Sequence, residues 1–79
     1  MTFGEHLKTK ILTLCSERQL SINRLATLSG LTQSTVDSIL KGKSRNPKIG
    51  TLYSLSKGFE MDFVGFLQYV CGDYDFADD

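Results

Sequence analysis

Histidine and proline each occur once in the 79 residues, cysteine occurs twice, and residues 59–79 contain no lysine or arginine. Cys15 and Cys71 are too few and too far apart for a disulfide framework or a CxxC motif. With His6 they cannot complete a tetrahedral zinc set in any familiar spacing, so no metal is expected. Two reduced thiols fit a cytoplasmic protein. No apolar run approaches the ~20 residues that cross a bilayer. The stretch Met1-Thr2-Phe3-Gly4-Glu5-His6 has neither a basic n-region nor an apolar core, so secretion and membrane insertion are not expected. Period-2 alternation, internal repeats and linkers are all missing, which leaves one small all-α domain.

The chemistry of an enzyme is missing as well. His6 has no nucleophile near it in sequence, no carboxylate pair sits at helical spacing in a pocket-forming context, and no glycine-rich phosphate loop or metal quartet occurs. A chain of this size buries only ~60% of its unfolded surface and has little material left for an active site or an effector domain. Neither a cofactor nor a small-molecule effector is therefore expected.

What is present is charge, unevenly placed. The nine bases of residues 1–58 against Glu5, Glu17 and Asp37 leave +6, and residues 59–79 carry −6, so the formal net charge is zero. Binding responds to the local field rather than the total, which keeps a polyanionic partner possible for the basic part.

The apolar residues recur at three- and four-residue steps nearly throughout. Leu7, Ile11, Leu14 and Cys15 mark a first helix over about 4–18. Ser21 is a favoured N-cap for a second helix carrying Ile22, Leu25, Ala26 and Leu28, and Gly30 closes it. Thr32 can cap a third helix, ended by Gly42. Pro47 suits the first turn of a fourth, with Ile49, Leu52, Leu55 and Phe59. Asp62 can cap a fifth, with Phe63, Phe66, Leu67 and Val70. The division expected is a folded unit over residues 1–71 and an acidic tail over 72–79 that frays.

On a wheel of ~100° per residue the third helix separates into two faces. Gln33, Ser34, Asp37, Ser38 and Lys41 lie on one, and Val36, Ile39 and Leu40 on the other. Short amide and hydroxyl side chains suit base edges in a DNA major groove, whereas a merely solvated helix would be filled with Glu and Lys. Ala26 allows close packing of the second helix on the third, Gly30 supplies the left-handed turn, and Val36 and Ile39 seal the contact. That is helix-turn-helix geometry. Lys41, Lys43, Arg45 and Lys48 form a cationic run beside the reading face, where phosphate contacts would be needed.

The stretch Ser21-Ile22-Asn23-Arg24-Leu25-Ala26-Thr27-Leu28-Ser29-Gly30-Leu31-Thr32-Gln33-Ser34-Thr35-Val36-Asp37-Ser38-Ile39-Leu40-Lys41-Gly42 resembles the Cro/CI-type (XRE) helix-turn-helix family of phage and bacterial regulators. The resemblance continues through Asn46-Pro47-Lys48-Ile49-Gly50-Thr51-Leu52 to Gly58-Phe59-Glu60-Met61 and covers about residues 5–70. It implies a five-helix, lambda-repressor-like fold and a sequence-specific regulator of transcription, of the repressor kind, bound to double-stranded DNA. By that resemblance Gln33, Ser34 and Ser38 read bases from a helix over about 33–41. Thr32 approaches the DNA backbone, Asn23 and Lys41 add contacts to it, and Lys43, Ser44, Arg45 and Asn46 grip phosphate. Two positions depart from the family pattern. Ile22 stands where many members place a phosphate-bonding Gln, leaving Ser21 or Asn23 as substitutes, and Ser29 occupies a position that is often apolar.

Asp37 opposes a polyanion and is expected to pair with Lys41 at i,i+4; its alternative is to accept from a cytosine amino group. Tyr53 reads as a partly buried packing residue rather than a base-stacking platform. The fifth helix, with Phe63, Phe66, Leu67, Tyr69 and Val70, has more apolar surface than one short helix can bury inward, which suggests a homodimer contact on a palindromic operator. The competing function is a protein-interaction module, such as an antitoxin or the partner of a regulator, with the aromatic and acidic tail as a docking segment.

Overall fold

The computed structural model describes residues 2–42 and 46–78. These residues form α1 (Phe3–Glu17), α2 (Ile22–Ser29), α3 (Gln33–Leu40), α4 (Ile49–Gly58), α5 (Phe63–Cys71) and a single 3-10 turn at Phe76–Asp78, with no strand among them. Short polar side chains start four of the helices. Thr2 and Glu5 form a reciprocal capping box on α1, with the Glu5 N–H donating to Thr2 Oγ1 (3.2 Å) and the Thr2 N–H to Glu5 Oε1 (3.0 Å). Ser21 accepts from the Arg24 N–H, Thr32 from the Thr35 N–H and Asp62 from the Gly65 N–H. α4 is the exception. Lys48 caps it without a side-chain bond, and Pro47 stands one residue outside the helix instead of in its first turn.

Two helix ends use a left-handed residue that is not glycine. Gln19 (φ 54) and Glu60 (φ 56) follow α1 and α4, with Leu20 N–H bonded to the Cys15 carbonyl and Met61 N–H to that of Ser56, both at 2.8 Å. These are Schellman closures, for which glycine is the usual residue. Gly30 (φ 72) and Gly42 (φ 69) close α2 and α3 as their types suggest.

Leu7, Leu25, Leu55, Phe66 and Val70 are fully buried at the centre, and Phe59 stacks on Phe66 with ring centroids 6.1 Å apart. The Arg18 guanidinium donates to the Phe59 carbonyl and lies over the Phe59 ring, tying the end of α1 to the end of α4. Two apolar residues counted toward the helix faces point outward, Ile49 at 64% exposed and Leu28 at 41%, and Val64 of α5 is 61% exposed. Phe66 and Val70 are the reverse, fully buried and so unavailable to a partner chain. Tyr53 is 45% exposed, meets Phe63 edge-on at 5.3 Å and carries the Lys57 ammonium over its ring.

The described part of residues 72–79 lies on α1, unlike the frayed tail its composition suggests. Phe3 contacts the rings of Tyr74 (5.4 Å) and Phe76 (5.1 Å), and Asp73 receives both His6 Nε2 and Lys10 Nζ at 3.1 Å. Aromatic area and two charge-assisted contacts offset the entropy cost of holding the segment.

Candidate nucleic-acid interface

α3 is eight residues long and made largely of modest helix formers, so packing must hold it rather than propensity. Val36 (1% exposed) and Ile39 (3%) supply its buried side, and Leu25 and Ala26 supply the matching side of α2. The Leu31 N–H bonded to the Ala26 carbonyl at 3.1 Å and the left-handed Gly30 set the angle at which α3 leaves α2. Val36 and Ile39 face inward, so the opposite side of α3 has to face solvent.

That outward side holds Gln33, Ser34 and Ser38, all exposed, with the capping Thr32 at its start and Lys41 at its end. Asn46 is exposed just before α4. Asn46, Pro47, Lys48 and Thr51 on one side and Thr35, Ser38 and Ile39 on the other line an open groove between α3 and the beginning of α4. Sequence reasoning missed Thr35 and Thr51. Thr35 lies one turn from both Thr32 and Ser38, a spacing that signals its place, whereas Thr51 becomes visible only once α4 is set against α3. Lys43, Ser44 and Arg45, assigned to phosphate, lie outside the described residues.

Asp37 departs from expectation. Its Oδ1 accepts from Gln33 Nε2 at 3.1 Å, so the i,i+4 partner is the amide one turn earlier and not Lys41 one turn later. On α2, Ile22 packs against the core, consistent with its apolar replacement of a phosphate-bonding residue. Ser21 Oγ accepts from the Arg24 N–H at the helix cap and keeps its own O–H to donate, and Asn23 is exposed on α2, so both substitutes stay open. The N-terminal turn of α1 reaches the same end of the molecule, with Glu5 Cγ 3.8 Å from where a side chain on Gly42 would begin. Among the described residues no three of His, Cys, Asp and Glu come together to hold a metal ion, and no helix is long and apolar enough to cross a membrane.

The model of the Cro/C1-type HTH DNA-binding domain matches residues 10–71. The chain belongs to that family. It is a helix-turn-helix DNA-binding domain, and its five helices are the all-α fold of such domains. The HTH-type transcriptional repressor RghR of Bacillus subtilis (strain 168) is 35% identical over 71 residues, which are 90% of this chain and 49% of that protein. The crystal structure of an HTH_3 family transcriptional regulator from Vibrio cholerae superposes with a TM-score of 0.73 at 28% identity, covering 98% of this chain and 45% of that one. The chain thus spans about half the length of these relatives.

Proposed function

We propose that this Cro/C1-type domain is the operator-reading part of a transcriptional repressor, with α3 laid in the major groove of double-stranded DNA. The observation that carries the reading is the division of α3: Val36 and Ile39 are buried while Gln33, Ser34 and Ser38 stand exposed together. Those three meet base edges. Thr32, Asn23, Lys41 and Asn46, with Lys43, Ser44 and Arg45, hold the sugar-phosphate backbone, which fixes register but carries no sequence information. Residues 1–71 form the binding unit and 72–79 an acidic appendage whose described part is seated on it. The domain acts in the cytoplasm, without catalysis.

A homodimer on a palindromic operator completes the reading, since helix-turn-helix half-sites are usually one DNA turn apart. Phe66 and Val70 cannot contribute to its contact because the core holds them. The exposed Val64 of α5, together with Ile49 and Tyr53 of α4, takes their place. The relative named as a repressor supports the direction of regulation.

Selection of bound duplexes from a random pool, followed by titration over several salt concentrations, tests the reading. Gln33→Ala should cost ~1–3 kcal/mol on the selected site, far less on scrambled DNA, and relax one base pair. Lys41→Ala or Arg45→Ala should weaken both duplexes and flatten the log-affinity against log-salt slope by about one unit. A wild-type domain that binds no duplex at low salt overturns the reading and leaves a protein-interaction module in its place.

A further inference from the structure

A carboxylate on a helix face that meets phosphate costs affinity, so Asp37 needs a reason to stand on α3. The reason lies one turn earlier. Asp37 is half-buried and its Oδ1 sits 3.1 Å from Gln33 Nε2. An ionised carboxylate can only accept, so chemistry requires that the Gln33 atom facing it be the nitrogen. The amide is thereby held against flipping, with Oε1 and one N–H left over for another partner.

Adenine presents an amino donor and the N7 acceptor in the major groove, which is the complement of that remaining pair. Guanine presents two acceptors, O6 and N7. A glutamine free to turn could meet those acceptors with its NH2 group, but one whose nitrogen is already engaged cannot do so as well. The negative charge of Asp37 beside it further disfavours an edge made of acceptors. Resting on the reading of α3 as a major-groove helix, we infer that Asp37 is a specificity-determining positioning residue, which orients Gln33 for adenine against guanine at the cost of overall DNA affinity.

The test is a double-mutant cycle on duplex binding. Wild type, Asp37→Asn, Gln33→Ala and the double variant are titrated against the selected duplex, its variants at the base pair that Gln33→Ala relaxes, and a scrambled duplex. Asp37→Asn should lower the adenine-over-guanine ratio at that pair by roughly fivefold or more and tighten binding to scrambled DNA. In the Gln33→Ala background the same change should leave the preference at that pair untouched. An unchanged ratio in Asp37→Asn overturns the inference and makes Asp37 a bystander charge. Lost preference at a different pair, independent of Gln33, overturns it in favour of direct readout by the carboxylate. Wild type that selects no duplex removes the underlying reading itself, a result distinct from both. Thermal melts check that each variant folds, and Asp37→Ser carries the same expectation if Asp37→Asn does not.

Discussion

Gly58, the last residue of α4, lies close against α2. A Cβ added there would fall inside the van der Waals shell of Ser29 Oγ and lie 3.1 Å from Leu25 Cδ1 and 3.2 Å from Ser29 Cβ, all on α2. Ser29 Oγ is itself buried and has no hydrogen-bond partner among the described residues. Gly58→Ala should therefore separate the helix that carries the turn into α3 from the helix that braces it. Overpacking of this kind costs ~1–3 kcal/mol, and replacing glycine in a helix returns up to ~1 kcal/mol. Because the Cβ would overlap Ser29 Oγ, the overpacking sits at the upper end, ~2–3 kcal/mol. With a return of ~1 kcal/mol the expected net loss is about 1–2 kcal/mol, from a total stability of about 4–12 kcal/mol for 79 residues. That corresponds to a melting point lower by roughly 4–16 °C.

Ser29→Ala removes the hydroxyl that the new methyl would strike and an unsatisfied polar atom with it. Alone it should leave stability within about 1 kcal/mol of wild type, on the favourable side, because a buried hydroxyl without a partner is a cost. In combination it should relieve part of the Gly58→Ala loss, with a coupling of at least about 0.5 kcal/mol. Urea unfolding of all four proteins, followed by circular dichroism, measures this. Equal stability of Gly58→Ala and wild type, or a Gly58→Ala cost that Ser29→Ala leaves unchanged, would refute the packing argument.

Two further expectations concern acid and a helix end. Thr2 backbone and then side-chain hydrogen bonds hold the Glu5 carboxyl below the usual range, and the Lys10 hydrogen bond does the same for Asp73. Lowered folded values mean stability that is whole above the ordinary carboxylate pKa of ~4 and is lost as pH falls through the folded values. The variant combining Glu5→Gln and Asp73→Asn should accordingly lose less stability than wild type between pH 5 and pH 2, and parallel losses would contradict the assignment. Glu60→Gly, at a backbone φ of 56, should raise the urea midpoint by the equivalent of about 0.5–1 kcal/mol; a lowered midpoint would show that the left-handed residue is not under strain.

The helices were legible in the sequence because their signals are local. Ser21, Thr32 and Asp62 reach a backbone N–H three residues on, and Gly30 and Gly42 supply a backbone angle that other residues avoid. The polar face of α3 was legible for the same reason, since 3.6-residue periodicity alone separates Gln33 and Ser38 from Val36 and Ile39. Closures at Gln19 and Glu60 were hidden because neither is a glycine. The seat of Asp73 on His6 and Lys10 joins residues more than sixty positions apart, for which no local rule exists. For Asp37 the i,i+4 rule offered two partners, and opposite charge favoured the wrong one. On α5, hydrophobicity could not rank Val64 against Val70, because only the position of α4 and α1 decides which of them is enclosed.

The same long-range contacts resolve an apparent conflict between a formal net charge of zero and a polyanionic partner. Acids of the C-terminal third have structural roles: Asp62 caps α5, and Asp73 pairs with Lys10 and accepts from His6 Nε2. Lys41 and Lys48, at the two ends of the chain segment between α3 and α4, are exposed. With a screening length of ~8 Å at physiological salt, phosphates respond to the cations beside them far more than to charges across a domain 33 Å long. Steering by this local field requires no excess charge on the whole chain, only acids placed where the fold already uses them. Asp37 is the acid that breaks the pattern, and its bond to Gln33 gives that break a function in recognition.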